Sequence, residues 1–517
     1  MNHRNQARPA HLTHGQGCAM GHIADFLVVG GGSAGAVVAA RLSEDPALSV
    51  VLVEAGKAYG PGDFPPVLTD LAQVGGDADH DWGYTARGGR LSPKIVALRG
   101  RTLGGSSAIN GAVAVRARPD DFARWNVPGW SFDDVFPIYR DLENAPDGAP
   151  EFHGRSGPFP IRRRRAEDTS PSGQAFIDAC RHEGYPLIDD FNADVHGVVG
   201  PLPINVIDNV RQNTALVYLT AEVRARPNLT IRGEVMVDRV LFDGEAVSGV
   251  ATDDGTVLRA RQVILSAGAY GSAAILLRSG IGPTRDLTEL GIEVVADLPV
   301  GRYLQDHPFF YNVYALAPGR TQMAPGMLAQ LWAATTEAAP GQLDLHINAQ
   351  HLLDPAMSPT GGAIVLAVSV VQPESTGSLG LTSRNAADAP LIDNNFLATD
   401  RDRRRMLEAV KLARRIARNP IFAPFISTEM MPGEKVHDDE LPDVVESALA
   451  SYGHPTATAP IGPDGDERAV VDPFGAVYGV AGLSVVDASI IPFVPSAAPN
   501  LTIIMIAERI SSKLRDR

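Results

Sequence analysis

The sequence predicts an α/β dinucleotide-binding unit combined with a second part built on an antiparallel sheet. Three observations carry this reading. Gly30, Gly32 and Gly35 stand in G-x-G-x-x-G spacing between an apolar run and a helix-forming run. Glu54 closes the next apolar run, 19 residues after Gly35. Residues 341–397 alternate apolar and polar side chains or run apolar, as in AIVLAVSVV from Ala363, the pattern of antiparallel strands.

Each element follows from its residues. Phe26, Leu27, Val28 and Val29 form the continuous apolar run of a buried parallel strand, and Ala36 to Leu42 opens a helix after the turn. In such a turn the second glycine lets a pyrophosphate approach the backbone, and its charge meets the positive end of the helix. Val50 to Val53 supply the second strand, and Glu54 is placed to accept hydrogen bonds from a ribose diol. Val263, Ile264 and Leu265 predict a third buried strand, closed by the small residues Ser266, Ala267 and Gly268. Met327, Leu328, Leu331 and Trp332 in MAPGMLAQLW fall at helical spacing and predict a short helix over 323–332, either core or a lid over an apolar entrance. A second helix is expected over Asp402 to Arg418, with Asp400 as its cap and Pro420 beyond its end.

Composition bounds the function. The 517 residues are 44% hydrophobic and 20% charged, with a formal net charge of −15, which argues against nucleic acid or an anionic membrane as partner. The only basic run, Arg162 to Arg165, reads as a solvated surface segment. Cys18 and Cys180 are too few for a disulfide framework, and no metal site is expected. Residues 1–21 have no apolar signal core and read as a disordered leader, with Met20 a possible alternative start. No apolar run reaches the ~18 residues of a membrane-spanning helix. The expected location is the cytoplasm. His346 and His351, five apart on an alternating run, fall on opposite faces of a strand and should not share a metal.

The same glycine turn also spells G-x-S-x-G through Gly31, Ser33 and Gly35, the nucleophile elbow of a serine hydrolase. That alternative places the elbow on the first strand and leaves Glu54 to coincidence.

Five segments resemble the glucose/methanol/choline (GMC) oxidoreductases, a family of FAD-dependent alcohol oxidases and dehydrogenases: GRTLGGSSAINGAV from Gly100, SAGAYGSAAILLRSGIG from Ser266, PVGRYLQDHP from Pro299, YGHPTATAPIG from Tyr452 and VVDASIIPFVPSAAPNLTIIMIAE from Val485. The resemblance spans nearly the whole chain. It implies a Rossmann-like FAD-binding domain of the glutathione-reductase type, formed discontinuously by residues 22–154, 214–304 and 461–517. Residues 155–213 and 305–460 would form an α+β substrate domain with an antiparallel sheet. FAD contacts are implied for Gly30, Gly32, Ser33, Ala34 and Gly35, for Glu54 and Ala55, and for Trp82 and Arg101. They are also implied for Gly105, Ser106, Asn110 and Gly111, for Val235, Ala267 and Gly268, and for Asp487, Ala488, Asn500, Leu501 and Thr502. Where some relatives attach FAD through a histidine, this chain has Ile109, so the cofactor is expected to be non-covalent.

The resemblance makes His454 the base that takes the hydroxyl proton while the carbinol hydride passes to flavin N5. It also makes Asn500 the second active-site residue, an amide that would hold the substrate oxygen. His80 and His307 lie in family-like segments and are expected to shape the flavin domain. With one dinucleotide fingerprint in the chain, electrons taken from a small alcohol would leave to O2 or an external acceptor. A non-redox FAD-containing lyase shares the histidine motif and stays open as an alternative. Ala273 and Ala457 depart from the family's usual proline and glycine, and neither touches a reacting group.

Overall fold

The computed structural model describes residues 23–193, 198–320 and 323–515. The expected leader, with Cys18 and Met20, lies outside them.

In chain order the elements that position the site are β1 (Ala24–Val29), α1 (Gly35–Leu42), β2 (Val50–Val53), α2 (Pro171–His182), β3 (Val198–Pro201), β4 (Leu229–Arg232), β5 (Val237–Asp243), β6 (Ala246–Thr252) and β7 (Val257–Leu265). They continue with α3 (Gly268–Arg278), β8 (Pro308–Leu316), β9 (Met327–Ala333), β10 (Leu345–Gln350), β11 (Ala363–Val370), α4 (Asp400–Ala417), β12 (Ile426–Met431), β13 (Leu483–Val485) and α5 (Asn500–Arg515).

One sheet runs β4-β2-β1-β7-β6-β5, with β13 also paired to β7. The β4, β2, β1, β7 and β13 neighbours are parallel, whereas β6 and β5 are antiparallel. Register fixes the chemistry. Val29 lies opposite both Val53 and Leu265, and Leu265 lies opposite Val485. The chain therefore leaves the sheet at one edge five times, at Gly30, Glu54, Gly233, Ser266 and Val486. Ligands of open α/β sheets bind beyond the carboxyl ends of the strands.

The second sheet, β12-β8-β11-β10-β9-β3, is antiparallel throughout. One face carries Leu331, Ile347, Leu366 and Val368 and packs with residues of α2 and α4 such as Phe176, Met406 and Val410 in an apolar core. A smaller sheet joins Ser378–Gly380 and Leu391–Phe396 to Thr85–Gly89 and Ile95–Val96.

Three expectations are corrected. The helix expected over 323–332 is strand β9 from Met327. Ala329, Leu331 and Ala333 enter the core while Trp332 packs in a second cluster on the other face, so both faces are buried and the period of two is masked. Helix α4 begins at Asp400, and its cap is Thr399, whose side chain accepts from the Asp402 N–H. The arginine run is solvated only in part, with Arg165 exposed and Arg162 and Arg164 turned inward. Arg162 donates to Asn144 O (2.7 Å), and Arg164 donates to Leu202 O (3.2 Å) and Met327 O (2.7 Å). Burial holds the Arg164 guanidinium down, to about 10.

Candidate active site

At the carboxyl edge of the parallel sheet lies a cleft that is partly open to solvent. Gly30, Gly32, Ser33, Ala34, Glu54, Ala55, Trp82, Gly105, Ser106, Val235, Ala267, Gly268, Asp487 and Ala488, all expected at the site, line it. Arg99, Tyr84, Tyr270 and Arg278 line it as well; Tyr270 and Arg278 belong to the segment from Ser266, and Tyr84 and Arg99 lie outside all five segments.

The cleft has the form of a dinucleotide cradle. A Cβ on Gly35 would sit 1.8 Å from Gly30 O and one on Gly105 2.7 Å from Gly32 Cα, so at both positions the chain's own packing demands glycine. A Cβ on Gly32 would meet nothing nearer than Gly105 Cα at 3.6 Å. The protein thus leaves room there, and a glycine suits the close approach of something the chain does not supply. Both Glu54 oxygens accept backbone N–H groups, from Gly31 and Gly56 at 2.8 Å each. Burial outweighs those bonds and raises the carboxyl to about 7. Across the edge, Asp487 accepts from the Gly268 N–H (2.8 Å) and from Ser272 Oγ (2.5 Å), anchoring the start of α3.

The remaining expected residues divide. Arg101 is exposed, with its guanidinium 5.2 Å from the Trp82 ring centroid. Asn110 accepts from the Ala112 N–H (2.9 Å), and Gly111 packs beside Met327. Leu501 is in the core, and Thr502 is bonded to Tyr139 (2.8 Å). Asn500 sits at the start of α5, where its Oδ1 accepts from Ser33 Oγ at 2.8 Å and its Nδ2 is buried without a partner. The Ser33 contact answers the hydrolase alternative, because the Ser33 hydroxyl is given to an amide oxygen, which is no base.

His454 is positioned by strand pairing. Ala450–Ser451 pairs with Pro308–Phe309, so the loop that follows runs beside His307. Asp306 clamps both loops. It accepts from Ser451 Oγ (2.5 Å), from the His307 N–H (2.7 Å) and from the His454 N–H (2.8 Å). The imidazoles then meet, Nδ1 to Nδ1, at 2.9 Å. His307 Nε2 lies 3.0 Å from Val371 O, which can only accept, so His307 carries its proton on Nε2 and offers the Nδ1 lone pair. His454 must then donate from Nδ1, and its Nε2 is left as the lone pair. The Tyr452 ring stacks on His454, centroids 4.3 Å apart. Burial, then the charges of His307, Arg99 and His346, push His454 well below the usual histidine range, and burial takes His307 to about 3. Both rings are neutral near pH 7.

His80 and His351 are held in structural contacts. His80 bonds Tyr59 (2.7 Å) and Asp77 (2.6 Å), and His351 bonds Ser172 (2.7 Å) and Ala363 O (2.7 Å).

His454, its imidazole neutral, directly precedes Pro455, which lines the cleft at the sheet edge. The family model described as GMC oxidoreductase matches residues 24–309 with its N-terminal part and 373–507 with its C-terminal part. The chain belongs to that family and is an oxidoreductase. It is 35% identical to a 5-(hydroxymethyl)furfural oxidase of Methylovorus sp., over 95% of this chain and 98% of the relative. It is 34% identical to an oxygen-dependent choline dehydrogenase of Ectopseudomonas mendocina, over 96% of this chain and 95% of the relative. The crystal structure of pyridoxine 4-oxidase from Mesorbium loti superposes with a TM-score of 0.88 at 31% identity, covering 96% of this chain and 99% of that one. Among the described residues no helix is long and apolar enough to cross a membrane.

Proposed function

We propose that the chain oxidises an alcohol to an aldehyde or ketone, with FAD held non-covalently in the cleft and His454 as the base. The observation that carries this reading is the chain of contacts from Val371 O through His307 to His454, which reserves the His454 Nε2 lone pair for a proton. The residues suit the cofactor. Glu54 would receive the ribose hydroxyls, and Gly32, Ser33 and the orphaned Nδ2 of Asn500 would meet the pyrophosphate. Ile109, buried and apolar, offers no atom for a covalent link. The bound flavin supplies the electron-poor acceptor for the carbinol hydride.

The protein's part is proton management and orientation. His454 Nε2 accepts the hydroxyl proton, and the positive charge that forms on the ring is shared through Nδ1–H with His307. The aromatic wall of Tyr452 and Phe309, with ring centroids 4.1 Å apart, keeps water from the base. Electrons leave to O2 or an external acceptor. The division into a discontinuous cofactor domain (22–154, 214–304, 461–517) and a substrate domain (155–213, 305–460) fits this scheme, because the base comes from the second and the cradle from the first. The test is a spectrum. Purified protein should show flavin bands that survive removal of free flavin, disappear on acid precipitation of the protein and bleach anaerobically with a primary alcohol. Bands that no alcohol bleaches would favour the non-redox lyase.

A further inference from the structure

The second face of the antiparallel sheet is polar and yet buried. Trp332, His346 and Ser369 lie in one cross-strand row of β9, β10 and β11, and Gln330, Asn348 and Ala367 in the next. All six are buried. Four polar atoms in this patch have no partner in the protein: Trp332 Nε1, His346 Nδ1, Asn348 Oδ1 and Ser369 Oγ. Buried polar groups are nearly always hydrogen-bonded. Four orphans in two adjoining rows therefore point to a partner from outside the chain.

Their hydrogen-bonding sense can be read. Gln330 Nε2 donates to His346 Nε2 at 3.3 Å, so His346 Nδ1 is a donor. Trp332 Nε1 can only donate. Asn348 donates its amide N–H to Tyr452 Oη, which leaves Oδ1 as an acceptor. Ser369 serves either way. The face is also continuous with the base. Phe309 lies opposite Ser369 on β8, Tyr452 stacks on Phe309, and His454 stacks on Tyr452.

Charge sharpens the reading. The charges that act on the three imidazoles are basic: Arg99 on His454, Arg118 on His346 and Arg124 on His307. The Arg118 guanidinium lies 5.1 Å from the Trp332 ring centroid. Neighbouring acids are engaged, Asp120 with Arg118 (3.1 Å), Asp121 with Ser496 (2.8 Å) and Asp306 with the His307 and His454 loops. A quaternary ammonium would meet donors and like charge here, whereas an oxygen acceptor would meet two N–H groups.

We propose that this face recognises the substrate, and that it selects alcohols bearing a second oxygen group, a carboxylate, carbonyl or hydroxyl, over alcohols bearing a quaternary ammonium. The inference rests on the alcohol oxidation proposed above. The test follows anaerobic bleaching of the FAD-loaded protein by 4-(hydroxymethyl)benzoate, 4-(hydroxymethyl)benzaldehyde, 4-methylbenzyl alcohol and choline. The better of the two oxygen-bearing alcohols should exceed the methyl compound by about 10-fold in kcat/KM, a margin set by one or two hydrogen bonds, and choline should be the poorest. Trp332→Phe and His346→Phe each keep a ring and delete a donor, and each should shrink that ratio about 5- to 10-fold. Benzoate, which has no carbinol, gives a readout free of turnover. Its Kd by calorimetry should rise by a similar factor in both variants. Equal rates on the methyl compound, a preference for choline, or variants that move neither the ratio nor the benzoate Kd would overturn the inference. If no alcohol bleaches the flavin while benzoate binding still depends on Trp332 and His346, the recognition face stands and alcohol oxidation falls.

Discussion

His307 and His454 face each other Nδ1 to Nδ1 at 2.9 Å, although 147 positions separate them in the chain. One proton sits between the two nitrogens, and the Val371 carbonyl decides which ring owns it. His307 is thus a positioning residue that acts through His454. Its replacement by leucine should leave FAD bound and lower the rate of flavin reduction by alcohol. The loss should lie between about 10-fold and the 10⁴-fold that a lost tautomer-fixing partner costs in serine-protease triads. His307→Gln, whose amide oxygen can accept the Nδ1 proton, should recover part of it. A leucine variant as fast as the parent in stopped flow would remove His307 from the account.

The pH dependence of rate and of stability should part company in acid. Because His454 is held well below the usual range, its neutral form persists as pH falls through 6.5, and flavin reduction should stay level there. Stability moves the other way. His307, His346 and His454 are all depressed by burial, so between 6.5 and their lowered values the unfolded chain binds more protons than the folded one. Stability should therefore fall as pH drops below 6.5, by up to about 1.4 kcal/mol per pH unit for each ring. Denaturant melts and single-turnover rates at pH 5 to 8 separate the two trends. A rate that halves near 6.5 would contradict the geometry.

Two glycines of one turn should respond differently to alanine. At Gly35 the new Cβ lands 1.8 Å from Gly30 O, so the backbone must move, at a cost of about 1–3 kcal/mol or more. At Gly32 the nearest atom is 3.6 Å away, so Gly32→Ala should keep the thermal midpoint of the apoprotein within a few degrees. It should nonetheless weaken FAD binding, since its methyl occupies the cradle. Thermal melts with and without FAD would show both effects, and a Gly32→Ala protein with parental FAD affinity would argue against the proposed pose.

Glu54 offers a linkage test of the ribose contact. Burial raises its carboxyl to about 7, and ribose hydroxyls that donate to the ionised form would lower it again on binding. The affinity of the apoprotein for FAD should then strengthen as pH rises to about 7, with log Kd falling by up to about 1 per pH unit, and level off above. Glu54→Gln should flatten that slope. Flavin fluorescence titrations that are pH-independent in the parent protein would contradict the assignment.

What could be read in the sequence was local. The run Phe26–Val29, the glycine turn and Glu54 lie within one short stretch, and their roles follow from spacing, so β1, α1 and β2 emerge nearly residue for residue. What was hidden depends on register or on long separation. Asn500 was expected at both the cofactor and the substrate, and spacing could not show that its amide reaches Ser33, 467 residues away. His307 looked like scaffold until the pairing of Ala450–Ser451 with Pro308–Phe309 carried it to His454. Strand β9 passed for a helix because both its faces are buried. Arg164 passed for surface because composition does not show which carbonyls will need a donor. The recognition face escaped notice for a related reason, since Trp332, His346 and Ser369 become neighbours only once three strands are in register.

The central claim is that His454 takes the substrate proton while FAD takes the hydride, and a single-turnover comparison tests it most directly. FAD-loaded parent protein and His454→Ala, matched for flavin content, would be mixed anaerobically with a primary alcohol that bleaches the parent. The account predicts that the variant keeps its flavin and bleaches about 10²- to 10⁴-fold more slowly, the range for loss of a general base. Bleaching at the parental rate would contradict it.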